Sequence, residues 1–596
     1  MDGASSVRIS PVSIGGAAGT GGTDRRWGRK DAALILLLTL IAAVLSFWDL
    51  GNRTGAQTYW RPSVVGEGFT ADFGKTRTVD RFNLYEGPGA KGKTRVEWSA
   101  DGRKWELYAE IEHKYNRVFT WKSENKTVSA RYMRFTAVST GYTLYEAAFF
   151  TRGVTVPIPV ESVTDNGKAG SGTEGGGAQV FDEQEYAPFR PDYRNSMYFD
   201  EIYHGRTAYE FIQAMEPYEN THPPLGKVLL EFGIRLFGMT PYGWRFAAAV
   251  CGTLMVPVVY AAAKGMFGRT RYAFLAGLLL VLESFHFVQS RFANVDVFGV
   301  TFTVVMYYAM YRYGETSWRR GFRAGLGWLA LSGVFFGCAA AVKWNYLYGG
   351  AGLAVLFVLS LLRHLRAARS EGQRRTARRT ALTLLAAAVF FVAVPAGIYT
   401  ASYMPFERAT KANDGIKDLW QYQKNMYDYH KGVKEVHPYS SKWYTWPLML
   451  RPVWYYGGTD LAPGTGQSIA AIGNPLVWWG GLLAMLASWW IGWRRRDRIV
   501  LTIAVMYLSF YVPWIVAPRS ITFLYHYFPM VPLLIFSLVW MMRWWEEKYR
   551  GGRRFTAFAV TAAAALFLWF YPVLAGVTIS REWMNIALRW LPSWGF

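Results

Sequence analysis

The chain has 596 residues, 52% hydrophobic and 17% aromatic, with a formal net charge of +23 and two cysteines. Its apolar residues gather in blocks long enough to cross about 30 Å of hydrocarbon, which excludes a soluble globular enzyme. The basic residues fall in the short loops between those blocks, as membrane topology requires, so the positive charge is no sign of a nucleic-acid partner. Cys251 and Cys338 both lie inside apolar blocks, and no disulfide framework holds the polar segments.

Residues 1–31 are polar, Gly/Ser-rich and basic towards their end, and predict a disordered cytoplasmic tail. The block 32–50 predicts a first transmembrane helix acting as a signal anchor. Further spans are expected near 243–263, 272–290, 295–311, 324–342, 346–362, 380–400, 472–493, 499–517, 523–542 and 555–578, about eleven in all. Arg25, Arg26, Arg29 and Lys30 precede the first span, and Arg319, Arg320, Arg323, Arg363 to Arg379, Arg494 to Arg498 and Arg543 to Arg554 occupy alternate connections thereafter. Those ends are expected to face the cytoplasm, which puts the long loops 51–242 and 401–471 outside.

Between 51 and 155 helical periodicity gives way to short alternating runs such as Val79 to Tyr85, Thr94 to Ser99 and Arg131 to Ala137, the pattern of a small β-sandwich. The stretches FTADFGKTRTVDRFNLYEG, TRVEWSADGRKWELYAEIE and ARYMRFTAVSTGYTLYEAAFF resemble the discoidin (F5/8 type C) domains of the galactose-binding-like fold. That resemblance implies loops at one end that bind sugars or lipid headgroups, so a cell-surface glycan is an expected partner. Tyr59, Trp60 or Tyr142 would either stack on such a sugar or pack the sandwich itself. Residues 156–185, rich in Gly, Ser, Thr and Asp, predict a linker that tethers the sandwich as an accessory module to a catalytic membrane domain over 186–596.

The chemistry is expected just after that linker. FDEIYHG places Asp200 and Glu201 side by side with His204 following, and THPPLGK adds His222 and Lys227. An acidic pair repels itself unless a cation or substrate relieves it, and a carboxylate beside a dry pocket is a credible general base. Residues 202–215 suit an interfacial helix that would hold the pair at headgroup depth. Glu283, Arg291 and Asp296 are ionisable groups near hydrocarbon, where function is the default hypothesis; Arg291 and Asp296 could instead form a structural ion pair. Lys343, Arg519 and His526 also reach the predicted outer face. Snorkelling accounts for each cation singly, whereas one bound phosphate accounts for His222, Lys227, Arg291, Lys343, Arg519 and His526 as a set. His430 and His437 in the second loop are too poor in further ligands to argue for metal, and that loop's aromatics suit either an interface belt or a sugar-binding surface.

FDEIYHG, HPPLGK, SRFANVD, VKWNYLY, HPYSSKWYTWPLMLRPVWYY, GNPLVWW and FLYHYFP occur in this order, and in this the chain resembles the protein O-mannosyltransferase family, as a bacterial member in the plasma membrane. The resemblance implies the GT-C fold: a polytopic α-helical membrane protein carrying the β-sandwich in its first outer loop. It implies an inverting transferase that moves mannose from polyprenyl-phosphate-mannose to Ser or Thr of an exported protein or peptide at the outer face. Asp200 would be the base and Glu201 would position base or acceptor. His222, Lys227, Arg291, Lys343, Arg451, Arg519 and His526 would handle the lipid phosphate, with His204, Asp296, His437 and Trp446 on the acceptor or sugar side. No cofactor is implied, and a divalent metal is neither required nor excluded. Two other readings compete: a transferase of the same fold that glycosylates a lipid or cell-wall polymer, and a polysaccharide-binding sensor or transporter.

Overall fold

The computed structural model describes residues 26–596 apart from 90, 368–372, 412–414, 434–435, 518 and 520. The expected tail therefore lies outside the described residues up to position 25, but its end does not. Helix α1 begins at Arg29 and runs to Phe47, and Asp31 is buried where the hydroxyls of Tyr260 and Thr270 donate to it.

A sheet of six strands follows: β1 (Gly68–Glu86), β2 (Lys91–Ser99), β3 (Glu106–Lys114), β4 (Thr120–Ser139), β5 (Leu144–Phe150) and β6 (Ser162–Asn166), in the order β3-β2-β4-β1-β5 with β6 also on β1. β1 is 19 residues long and breaks register with β4 twice, between Asp72 and Arg77 and between Val79 and Arg81. Bulges of this kind bend a strand and raise its twist, which lets β1 serve β6 at one end and β5 at the other around one core. Phe69, Phe82, Phe135 and Phe149 fill that core.

One open alternative closes here and one expectation fails. Trp60 and Tyr142 are 3% and 2% exposed and pack in this core, while the Tyr59 hydroxyl donates to Glu174, so none of the three is an open sugar platform. Residues 156–185 are not a free linker. β6 pairs with β1, and the Glu67 carboxylate collects the N–H groups of Ser63, Val64 and Gly170 together with the Thr173 hydroxyl, which ties the returning chain to the sheet.

The helical part comprises α2 (Glu201–Ile212), α3 (Leu225–Phe237), α4 (Pro241–Phe267), α5 (Thr270–Val281), α6 (Ser284–Ser290), α7 (Asp296–Arg320), α8 (Phe322–Val342) and α9 (Tyr348–Ala367). It continues through α10 (Gln373–Ala388), α11 (Val394–Ser402), α12 (Met404–Thr410), α13 (Ile416–Gly432), α14 (Gly481–Arg495), α15 (Arg498–Tyr511), α16 (Pro513–Val516), α17 (Val531–Lys548) and α18 (Gly552–Ala575). Among the described residues nine helical stretches are long and apolar enough to cross a membrane, and α5 with α6 makes a tenth that bends by 62°. Glu283 sits in that bend as the cap of α6. Its buried carboxylate accepts from the N–H groups of His286 and Asn474 and from the Trp478 indole, which explains this acid in an apolar run without a catalytic role. α7 fills the place of the remaining expected span. Its 25 residues reach ~37 Å, but Asp296, Arg312 and a row of tyrosines make it too polar to count as an apolar helix, and it is largely surrounded by protein.

Candidate functional site

Asp200 lies in a turn with Phe199 and opens α2, its carbonyl accepting the N–H groups of Tyr203 and His204 at 3.0 Å each. The carboxylate itself takes no capping bond, so it stands at the positive end of the helix with its oxygens available. Burial pushes this carboxyl up to about 7, while Lys343 and Arg519 pull it down and Asp296 and Glu219 add to the rise. Near neutral pH such a group is divided between its two forms, the condition in which a carboxylate serves well as a base.

Glu201 behaves differently from its neighbour. It is fully buried and accepts both Nε and a terminal nitrogen of Arg245 at 2.7 Å, plus the N–H groups of Ala293 and Tyr198. Four donors leave it no face for a substrate. Arg245 in turn donates to the carbonyls of Leu50, Tyr193 and Ser196, so this pair knots α1, α4 and the segment before Asp200 together. Glu201 can position Asp200; it cannot touch an acceptor.

Lys343 and Arg519, the two cations acting on Asp200, line a cavity of ~180 Å³ whose wall also includes His222, His430, Trp514 and His526. Lys343 sits where α8 ends, and its ammonium, not the expected Arg291 guanidinium, pairs with Asp296 at 3.0 Å, while the Tyr346 hydroxyl donates to the same carboxylate. Asp296 is thus a fixed counter-charge rather than an open sugar contact. Arg519 makes no ion pair among the described residues, and its buried Nε has no partner among them. His526 holds Nδ1 3.0 Å from the backbone of Phe523, stacks with Trp446 and meets Trp514 at a tilt; its buried Nε2 also lacks a partner among the described residues.

The histidines are not cations here. Burial pushes His222 well below the usual imidazole range, against the pull of Glu219, whose carboxylate lies 3.1 Å from its Nδ1. His204, whose ring meets that of His222, and His430, whose Nε2 lies 2.8 Å from the Thr221 carbonyl, are each pushed down to about 4 by burial. All three are neutral at pH 7, so His222 can offer a hydrogen bond to a phosphate but not a charge.

Several sequence-predicted residues are elsewhere. Lys227 is buried behind the cavity, its ammonium held by the Glu219 carboxylate and by the carbonyls of Glu219 and His222. Arg291 donates to the carbonyls of Leu45, Ser46, Trp48 and Asp49, satisfying the last turn of α1. Arg451 is exposed and His437 packs on Phe523 away from the cavity wall. Trp446 is buried behind His526, its indole donating to Ser441. Sequence reasoning missed Glu219, which orders both Lys227 and His222, and the role of His430 in the wall. The only hint of Glu219 was its place three residues before His222.

Among the described residues the one group of acidic or imidazole side chains close enough to share a metal ion is Glu146, Asp182 and Glu183, on the sheet domain and apart from this cavity.

The bundle, with Asp200 at the start of α2 and a cation-walled cavity, takes the GT-C fold of membrane glycosyltransferases. The S. cerevisiae protein O-mannosyltransferase Pmt1–Pmt2 complex bound to the sugar donor matches it with a TM-score of 0.58 at 14% identity, over 67% of this chain and 89% of that one. At that identity the likeness fixes the fold alone. The chain belongs to the protein O-mannosyltransferase family. It is 30% identical over 481 residues to a polyprenol-phosphate-mannose–protein mannosyltransferase of Mycolicibacterium smegmatis, covering 71% of this chain and 89% of the relative. It is 28% identical to the protein of that name in Mycobacterium tuberculosis, over 70% of this chain and 87% of the relative. Residues 239–410 match the dolichyl-phosphate-mannose-protein mannosyltransferase model and 415–594 the C-terminal four-span region of protein O-mannosyltransferases, while 44–147 match the F5/8 type C domain.

Proposed function

We propose that this chain transfers mannose from polyprenyl-phosphate-mannose to Ser or Thr hydroxyls of exported proteins, the activity that the names of its mycobacterial relatives describe for them. Asp200 takes the hydroxyl proton as the acceptor oxygen bonds to the anomeric carbon. The bond from that carbon to the phosphate oxygen breaks on the opposite face, and its electron pair leaves with the polyprenyl phosphate. A single displacement of this kind inverts the anomeric centre and needs one base and no nucleophile. Lys343 and Arg519 offset the charge that gathers on the leaving phosphate, with the His526 Nε2 as a further contact. Because the leaving group bears one phosphate and these cations face it, the reaction runs without a required metal. The alternating basic loops support a cytoplasmic N-terminus and a site at the outer face.

The observation that carries the reading is the Asp200 carboxylate at the start of α2, without a hydrogen-bond or ion-pair partner among the described residues and acted on by two cations that line one cavity. Purified protein in detergent, given radiolabelled polyprenyl-phosphate-mannose and a Ser/Thr-rich peptide, should yield labelled peptide from which mild base releases mannose, with EDTA present or absent. Label that passes only to lipid or glycan acceptors would replace the protein-acceptor reading with that of a wall-polymer transferase.

A further inference from the structure

The sheet domain does not hang free of the bundle. At its tip the chain turns through Tyr115–Arg117 into β4, and there Val118, Phe119 and Trp121 are buried in the core of the helical domain. Phe119 is fully buried, its ring 5.3 Å from that of Tyr209 on α2 and 6.4 Å from that of Trp244 on α4. Next to it the hydroxyls of Tyr145 on β5 and Tyr209 meet at 2.9 Å.

The backbone contacts are aimed at the segment that delivers Asp200. The Met197 N–H donates to the Phe119 carbonyl at 2.9 Å, and the Trp121 N–H donates to the Ser196 hydroxyl at 3.0 Å. From the other side Arg245 holds the Ser196 carbonyl. Residues 196–199 are thus clamped between sheet and bundle. Both ends of the clamp carry backbone that side chains avoid: Phe119 has φ +49° and Phe199, directly before Asp200, has φ +50°. An aromatic residue in the left-handed region costs about 1–2 kcal/mol, and it persists only where its surroundings over-determine it. A strained residue on each side of one clamp indicates that the position of the segment, not merely its burial, is being held.

We propose that the inserted sheet domain is a positioning element of the transfer site, with Phe119 setting the place of Asp200 through residues 196–199 and α2. The proposal rests on the reading of Asp200 as the base. It replaces the tethered accessory module that the sequence suggested.

The test uses the full-length protein with Phe119→Ala, Phe119→Leu, Ser196→Ala and, in parallel, Asp200→Asn, measuring kcat and KM for peptide and donor and the binding of polyprenyl phosphate. A misplacement of about 1 Å at a reacting group can cost 10²-fold in rate. Phe119→Ala should therefore lower kcat roughly ten- to a hundredfold with donor KM and polyprenyl-phosphate binding unchanged, and Phe119→Leu should recover part of the loss. Ser196→Ala, which leaves the core packing alone, should lower kcat in the same direction and serves if Phe119→Ala does not fold. Normal kcat in Phe119→Ala, or in Ser196→Ala where Phe119→Ala does not fold, overturns the proposal, as does a loss of donor binding in step with kcat. If Asp200→Asn keeps its turnover, the reading of the base fails instead, whatever Phe119 does.

Discussion

With a carboxyl pushed up to about 7 as its base, the enzyme should lose activity through a single acid limb. Only the ionised fraction of Asp200 can accept the hydroxyl proton, and that fraction is about one half at pH 7 and about 3% at pH 5.5. The kcat/KM for peptide at saturating donor should therefore fall roughly 30-fold from its plateau near pH 8.5 to pH 5.5, with a slope of one proton. The nearby His204 and His430 are pushed down to about 4 and stay neutral through this window, so the limb belongs to the carboxylate. Lys343 pulls the Asp200 carboxyl down, and its replacement in Lys343→Met should move the limb to higher pH. Stability gives an independent reading. Because the folded-state value lies above the ordinary 3.8, the contribution of neutral Asp200 is intact below about pH 4 and is lost as pH rises through 7. Asp200→Asn should then be more thermostable than wild type at pH 8, by no more than about 4 kcal/mol, and should gain nothing at pH 4. A rate that is flat from pH 5 to 8, or a limb that moves down in Lys343→Met, would refute the assignment.

Arg291→Leu should lower thermal stability in detergent by about 2–4 kcal/mol while leaving donor KM alone, because the guanidinium satisfies four carbonyls at the end of α1; a raised donor KM at unchanged stability would return Arg291 to the phosphate site. Arg245→Met leaves Glu201 charged and buried, which costs about 3–5 kcal/mol, and adding Glu201→Met should restore much of the stability; a single variant as stable as wild type would show the pair to be dispensable. Arg519→Gln should raise donor KM about tenfold by losing one charge-assisted contact to phosphate, whereas Arg451→Gln, altered on an exposed side chain, should leave it unchanged; equal effects in the two would detach the cavity from the donor.

Much of this was legible in the sequence. Hydropathy marks the blocks that became membrane-length helices, alternation marks runs within β1 to β4 but misses β6, and FDEIYHG puts Asp200 at the mouth of α2. What could not be read is where long side chains end. Arg291 and Lys343 look alike on the chain, each a cation at the edge of an apolar block. One turns to the carbonyl-rich end of α1 and the other into the cavity, because tertiary packing decides which unsatisfied oxygen lies within reach. The acidic pair divides for a similar reason. Only the fold brings Arg245, 44 residues downstream, onto Glu201 and leaves Asp200 without it. Histidine charge was also hidden, since burial of His222 beside Glu219 sets its proton affinity and the motif does not report depth. The docking of the sheet domain is not legible because an aromatic that fills its own core, such as Phe82, and one that enters the neighbouring domain, such as Phe119 in the turn before β4, look alike in an alternating run of residues.

The central claim is that one carboxylate, Asp200, draws the proton from a Ser or Thr hydroxyl while mannose leaves a polyprenyl phosphate. Its most direct test is single-turnover transfer by wild type and Asp200→Asn, each preloaded with polyprenyl-phosphate-mannose and mixed with a threonine peptide, with donor occupancy and the anomeric configuration of the product measured in the same reactions. The account predicts equal donor occupancy, an inverted anomer in the wild-type product, and transfer in the variant slowed at least about 10²-fold. Transfer by Asp200→Asn at more than about a tenth of the wild-type rate, or a product that keeps the donor's configuration, would contradict it.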